Sequence, residues 1–318
     1  MKKVISSLAF IAMVALGTFL IGCDSGGPTL SDSKLSWEWF ASPTNNSLHS
    51  LYRLAANDIW SVGDNGNIIH WDGKSWTMQI TTEYSTLNDV FMLDPVSGWA
   101  VGDSGCVIQI AEGSCNPMPT GLETNLNAIT MDAKSGEGWI VGDKGTIVHI
   151  IGGTYEMEMV PEGLEVNLNC VGITINPKIP DLPEIWAMGK DGTILQRING
   201  VWTQFVSPTF RDINCLSLNI AGFGWAGCDD GVILRYREGL WEATYSPTYM
   251  DISAICGLTN QKVWIGTDIG ETYFRTGGGF SAWEQYNSPA ENPIGDLCFN
   301  SDLNGWGVGK FGGIIRLQ

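Results

Sequence analysis

Five aspartates and two lysines recur at one position along this chain. Asp64, Asp103, Asp143, Asp229 and Asp268, with Lys190 and Lys310, each stand four residues after a tryptophan and two before a glycine. Side chains with that spacing occupy one place in a repeating unit, so a regular fold would gather them on a single face. Carboxylates collected there would attract a cation or a basic partner. Asp also suits turns on its own account, because its short side chain bonds nearby backbone N–H groups. Both readings stand at the level of sequence.

Other chemistry is sparse. The chain has three histidines, His49, His70 and His149. His70 and His149 fall at the same point of two units, where the expectation is an outward-facing repeat position rather than a metal or acid–base pair. Recurrent Asn88, Asn127, Asn169 and Asn214 are expected to bond across to a neighbouring unit, because buried polar groups need partners. Eight cysteines form no CxxC and no Cys/His zinc spacing. Setting Cys23 aside leaves an odd seven, read as small buried hydrophobes. The seven arginines, Arg53, Arg197, Arg211, Arg235, Arg237, Arg275 and Arg316, are scattered. Neither a Ser/His/Asp order nor a phosphate loop is visible. The expectation is a binding protein, not an enzyme, with no cofactor and no metal.

The elements that must position the aspartates follow from the repeat itself. Successive tryptophans Trp60, Trp99, Trp139, Trp186, Trp225, Trp264 and Trp306 lie 39, 40, 47, 39, 39 and 42 residues apart. The long interval holds a proline-rich insertion, Asn176 to Glu184. Each unit opens with a short run such as Leu87-Asn88-Asp89-Val90. The tryptophan strand follows, then a glycine turn and a third strand such as Ile68-Ile69-His70. A turn such as Asp72-Gly73 or Asn199-Gly200, a hairpin signal, leads to a fourth strand opened by Trp76, Trp202, Trp241 or Trp283. Four short strands per unit of roughly 40 residues predict an all-β, seven-bladed β-propeller with four antiparallel strands per blade. A blade cannot bury both faces alone, and stacking in a ring covers each face with a neighbour.

The last unit, Ile294 to Gln318, stops after its third strand. A spare fourth-strand sequence, Trp37-Glu38-Trp39-Phe40-Ala41-Ser42-Pro43, opens the repeat region and matches Trp202 to Pro208. Trp37 precedes Trp60 by 23 residues, as Trp76 precedes Trp99. The N-terminal strand is therefore expected to complete the last blade and close the ring, which removes open sheet edges.

The first residues read as an export signal. Met1-Lys2-Lys3 is basic, and Val4 to Leu20 is an uncharged apolar run. Leu20-Ile21-Gly22-Cys23 resembles the lipobox of bacterial lipoproteins. That resemblance implies a signal peptide over 1–22, a lipid on Cys23, a flexible tether through 34, and a propeller over 35–318. The cell envelope would be its location, with the membrane reached through the lipid. The chain carries 34 acidic against 17 basic residues, a net charge of −17. That argues against nucleic acid and against charge-driven binding to anionic lipid.

The units Gly98 to Gln109 (GWAVGDSGCVIQ) and Ile59 to Trp76 (IWSVGDNGNIIHWDGKSW) resemble the repeats of the photosystem II stability/assembly factor family. They also resemble the wider group of WD40/YVTN/BNR-like bacterial propellers. The resemblance covers about residues 35–318 and implies a scaffold that holds a membrane-protein partner without performing chemistry. Photosynthetic members of the family carry a basic patch, which the scattered arginines here do not suggest. Asp72-Gly73-Lys74-Ser75-Trp76 is a degenerate relative of the sialidase Asp-box, but the Arg-Ile-Pro start of that family is absent; Phe210-Arg211-Asp212-Ile213 is the nearest string. The function expected is an envelope interaction or assembly scaffold for an unidentified and basic protein partner. The competing reading is a carbohydrate-binding or glycoside-cleaving propeller that uses its aromatics as sugar platforms.

Overall fold

The computed structural model describes residues 35–175, 183–277 and 282–318. The export signal, Cys23, the tether and most of the proline-rich insertion lie outside the described residues. Among the described residues there is no α-helix, and the strands form seven four-stranded antiparallel sheets. The first blade shows the plan: Leu48–Ala55, Asp58–Gly63, Ile68–Trp71 and Trp76–Met78, hydrogen-bonded in chain order. The inner strands of the other blades are Leu87–Asp94, Leu126–Met131, Leu168–Ile175, Ile213–Asn219, Ile252–Gly257 and Ile294–Ser301. The seventh sheet takes its outermost strand from the other end of the chain. Trp37–Trp39 pairs with Ile314–Leu317 in the register Trp37↔Leu317 and Trp39↔Ile315. The ring closes as the sequence predicts.

The apolar core is divided into seven clusters, one at each seam between blades. One rule builds them: the aromatic opening the fourth strand of a blade packs on the second-strand tryptophan of the blade before it. Trp76 meets Trp306 with ring centroids 5.6 Å apart, Trp241 meets Trp186 at 5.9 Å, and Trp37 meets Trp264 at 5.8 Å, all edge to face. Cys115 joins Trp60 in the seam cluster of blades 1 and 2, where no aromatic opens the fourth strand. Burying an aromatic of this size removes roughly 150–250 Å² from water. At about 25 cal/mol per Å² that is an upper scale of about 4–6 kcal/mol each. The repeat tryptophans are thus consumed between blades, which removes them as exposed sugar platforms.

Every inner strand carries a bulge at its second residue. Pairing with the second strand skips between Leu48 and Ser50, Leu87 and Asp89, Leu126 and Ala128, Leu168 and Cys170, Ile213 and Cys215, Ile252 and Ala254, and Ile294 and Asp296. A bulge re-aims a side chain away from the regular pleat, and that displacement fixes the geometry described next.

Candidate interaction face

The turn between second and third strands is where the repeated aspartates sit. In blade 1 the Asn67 N–H returns to the Asp64 carbonyl at 3.2 Å, and both central residues take positive φ, Asn65 at 56° and Gly66 at 66°. This is a type I′ turn, matched to the right-handed twist of its strands. The second glycine is enforced by its surroundings as well as by φ: a Cβ on Gly192 would lie 2.1 Å from the Thr209 carbonyl oxygen of the next inter-blade connection. Strand direction alternates across a blade, so these turns share one face of the ring with the connections between blades. The backbone confirms the contact, as Asp103 N–H donates to Thr86 O at 2.9 Å and Gly105 N–H to Thr124 O at 2.7 Å.

The bulged residues reach this face from below. Asn88 Nδ2 donates to Asp103 Oδ1 at 3.0 Å and to Leu126 O of the next blade at 2.9 Å. Asn127 repeats the pattern with Asp143 Oδ1 at 3.0 Å and Leu168 O at 2.9 Å. Asn214 does so with Asp229 Oδ1 at 2.8 Å and Ile252 O at 3.3 Å, and Asn169 reaches Ile213 O at 2.9 Å. In blade 1 His49 takes the asparagine's place, with Nε2 2.8 Å from Asp64 Oδ1. Desolvation works against the Asp64 carboxylate, but bonds from His49 and Ser47 outweigh it and hold the group below its ordinary range. The recurrent asparagines therefore tie blades 2, 3, 4 and 5 each to the next. Four of the five repeated aspartates accept a bond from the bulge of their own blade.

The two lysines of the ring differ. Lys190 Nζ lies 2.5 Å from Asp212 Oδ2, which raises the ammonium pKa. Lys310 is exposed on blade 7. Asp268 is also an exception: its Oδ1 is buried without a hydrogen-bond partner among the described residues.

Several other sequence expectations are revised. His149 does not face outward. It is buried and stacked on Trp139 at 4.8 Å between Glu137 and Glu158, and Arg197 Nη2 meets Glu158 at 2.6 Å. His70 stacks on Trp60 at 4.3 Å and bonds Asp58 at 2.9 Å. Each histidine is thus occupied within its own blade. The arginines are not all scattered in space, since Arg235 and Arg275 both lie 5.4 Å from the Trp225 ring centre. All seven cysteines from Cys106 to Cys298 are free thiols. Burial pushes the Cys228 and Cys256 thiols up to about 12, which keeps them neutral.

Sequence reasoning missed the aromatics of this face. Tyr84, Phe210 and Tyr249 each stand three residues before an inner strand, in connections such as Ser207-Pro208-Thr209-Phe210 and Ser246-Pro247-Thr248-Tyr249. They are 78 %, 93 % and 90 % exposed, and Phe311 in the turn of blade 7 is 71 % exposed. The signal was present: these aromatics fall at none of the seam positions.

No protein-family model and no curated protein sequence matches the chain. Solved structures do share the fold. A YCF48 structure bound to a D1 peptide is similar over 88 % of this chain and 94 % of that one, with TM-score 0.68 and 19 % identity. YCF48 from Cyanidioschyzon merolae is similar over 89 % and 99 %, with TM-score 0.68 and 15 % identity. The WD40 repeats of RRP9 are similar over 89 % and 97 %, with TM-score 0.69 and 14 % identity.

Proposed function

We propose that this chain is a protein-interaction or assembly scaffold of the bacterial envelope, tethered by lipid on Cys23, and that its partner docks on the face carrying the repeated turns. The observation that carries the reading is the combination on that face of solvent-exposed Tyr84, Phe210, Tyr249 and Phe311 with the ring of Asp64, Asp103, Asp143, Asp229 and Asp268. Exposed aromatics are the residues that anchor protein interfaces, and the surrounding carboxylates favour a basic partner. Propellers of the same fold support the reading, one having been solved with a D1 peptide bound.

Strand direction adds to it. The closing strand starts at Trp37, paired with Leu317, and Ser36 N–H donates to Gln318 O at 3.3 Å. That end of the blade is the rim opposite the turn face. The propeller's point of attachment to the tether therefore lies away from the proposed docking face.

The test places a photocrosslinking residue at Phe210, at Tyr84, or at Lys74 and Asn199 on the opposite rim, in the native cell. A protein captured from Phe210 and Tyr84 and not from the opposite rim is expected. Capture only from the opposite rim, or binding of glycans in place of protein, would overturn the interaction face. Cys23→Ser should move the chain from the membrane fraction to the soluble one; retention on the membrane would remove the lipid tether.

A further inference from the structure

Blade 6 differs from blade 3 at three places, and all three converge on Asp268. First, its bulge residue is Ser253, whose hydroxyl donates to Ile294 O at 2.7 Å and Gly266 O at 3.4 Å, not to the blade's own aspartate. Second, the residue preceding the inner strand is a carboxylate, as Asp212 is in blade 5, where Lys190 pairs with it at 2.5 Å. In blade 3 that residue is Asn125, which donates through Nδ2 to Asp143 Oδ2 at 3.1 Å and accepts the Ser104 N–H at 3.1 Å. In blade 6 it is Asp251, whose Oδ1 accepts the Asp230 N–H at 2.8 Å. The Asp268 N–H also bonds Asp251 O at 3.1 Å, so the two residues are held side by side. An amide–carboxylate bond is replaced by two carboxylates. Third, the turn contains Ile269, a β-branched residue that does not take the positive φ found there in other blades. The turn is rebuilt: Gly270 N–H closes on Thr267 O at 3.1 Å.

Asp268 thus lacks both donors that Asp143 has, and its Oδ1 is left without a partner among the described residues. Desolvation, followed by the Asp251 charge, pushes its carboxyl above the usual range. Two cations of blades 4 and 5 on this face are already committed, Arg211 Nη2 to Asp230 at 2.8 Å and Lys190 to Asp212 at 2.5 Å. The neighbouring connections carry exposed aromatics: Phe210 beside the blade 4 turn at Gly192 and Tyr249 beside the blade 5 turn at Gly231, with Met250 and Ile269 also exposed.

We propose that the exposed Phe210–Tyr249 surface of blades 5 and 6 is the docking point for an arginine-bearing segment of a protein partner, its guanidinium seated against Asp251 and Asp268. The inference rests on the scaffold reading and names the chemistry of the partner. Two adjacent carboxylates and an exposed tyrosine ring suit a planar guanidinium, which donates to several oxygens and stacks on aromatic faces. A lysine ammonium offers a single strongly hydrated charge and fits less well.

The decisive variant is Asp251→Asn, which recreates the Asn125–Asp143 bond of blade 3 and fills the place from within. The probe is a fluorescein-labelled peptide of alternating Leu, Arg and Gly, compared with the same peptide carrying citrulline or lysine for arginine, read by anisotropy. Asp251→Asn is expected to raise the thermal midpoint while weakening the arginine peptide by roughly fivefold or more. Asp103→Asn, an equal change of charge elsewhere on the ring, should weaken it less than about twofold. The double substitution Phe210→Ser with Tyr249→Ser should also weaken it. Equal weakening by Asp251→Asn and Asp103→Asn, or equal binding of the citrulline peptide, would overturn the docking point. A partner still crosslinked from Phe210 under that outcome would leave the scaffold reading standing. Failure to capture any protein from the turn face would remove the scaffold reading itself.

Discussion

Asp296 Oδ2 accepts the backbone N–H of Leu51 at 2.8 Å, joining the last blade to the first inside the ring. Its other oxygen takes the Leu297 N–H at 2.7 Å. Asp89 plays the same part further on, accepting Ser50 Oγ at 2.6 Å, Val90 N–H at 2.9 Å and Ile129 N–H at 2.8 Å. Two carboxylates thereby satisfy four inner-strand N–H groups across blades 7, 1, 2 and 3. Gly295 shows why Asp296 acts at this seam: a Cβ there would lie 2.6 Å from Leu48 O, so no side chain fits at the bulge.

Burial pushes the Asp296 carboxyl up to about 7 and that of Asp89 up to about 6. An unfolded Asp titrates near 3.9, so the folded chain binds these protons more tightly. Their contribution to stability is complete below about pH 4 and is lost as pH rises through 4 to 7. At roughly 1.4 kcal/mol per unit, Asp296 accounts for about 4 kcal/mol of pH-dependent stability. Urea unfolding midpoints should fall between pH 5 and pH 8, and Asp296→Asn should flatten that slope. An unchanged slope in the variant would show that Asp296 does not titrate in this range.

The bulge asparagines give a second prediction. Asn127→Ala removes bonds to Asp143 and Leu168 O, leaving a buried carbonyl unpaired, at a cost of about 1–3 kcal/mol. Asn127→Asp should be worse at pH 7 than at pH 4, because it sets a second carboxylate beside Asp143. Thermal unfolding of both variants at the two pH values checks the order; equal loss at both would mean that charge repulsion plays no part.

The blade count, the strand order and the closing strand were legible because Trp60, Gly66 and their counterparts keep one spacing through seven units, and because Trp37-to-Trp60 repeats Trp76-to-Trp99. The Asp ring was legible for the same reason. The bulge was not. A run such as Leu87-Asn88-Asp89-Val90 reads as ordinary alternation, and only three-dimensional pairing shows that Asn88 is skipped. Asp89 and Asp296 look like two more solvated acids among 34, since burial inside the ring leaves no mark on residue type. Blades 2 and 3 carry Cys115 and Tyr155 in their outer strands instead of tryptophan, so pattern matching on Trp passes over those positions.

Ring closure gives a third. Trp37 is 4 % exposed and sits edge-on to Trp264 and to Phe299, the latter at 5.7 Å. Trp37→Ala should destabilise the fold by about 3–5 kcal/mol and free the edge of Ile314–Leu317 for pairing with another chain. Trp37→Phe should retain much of the lost stability. Size-exclusion chromatography with chemical unfolding reads both effects. A Trp37→Ala chain as stable and as monomeric as the parent would mean that closure contributes nothing.

Phe311 gives the last. It holds φ 57° at a position where other blades place Asn65, Ser104, Lys144, Asp191 or Asp230. A bulky side chain in the left-handed region is strained by about 1–2 kcal/mol, and its exposed ring recovers little of that by packing. Asn tolerates the same backbone, so Phe311→Asn should stabilise the chain by about 1 kcal/mol. If the ring is kept for a partner, the same substitution should lower the yield of protein crosslinked from Tyr84 in the cell. A stabilised variant with undiminished capture would separate the strain at Phe311 from function, and would confine the working part of the face to the remaining aromatics.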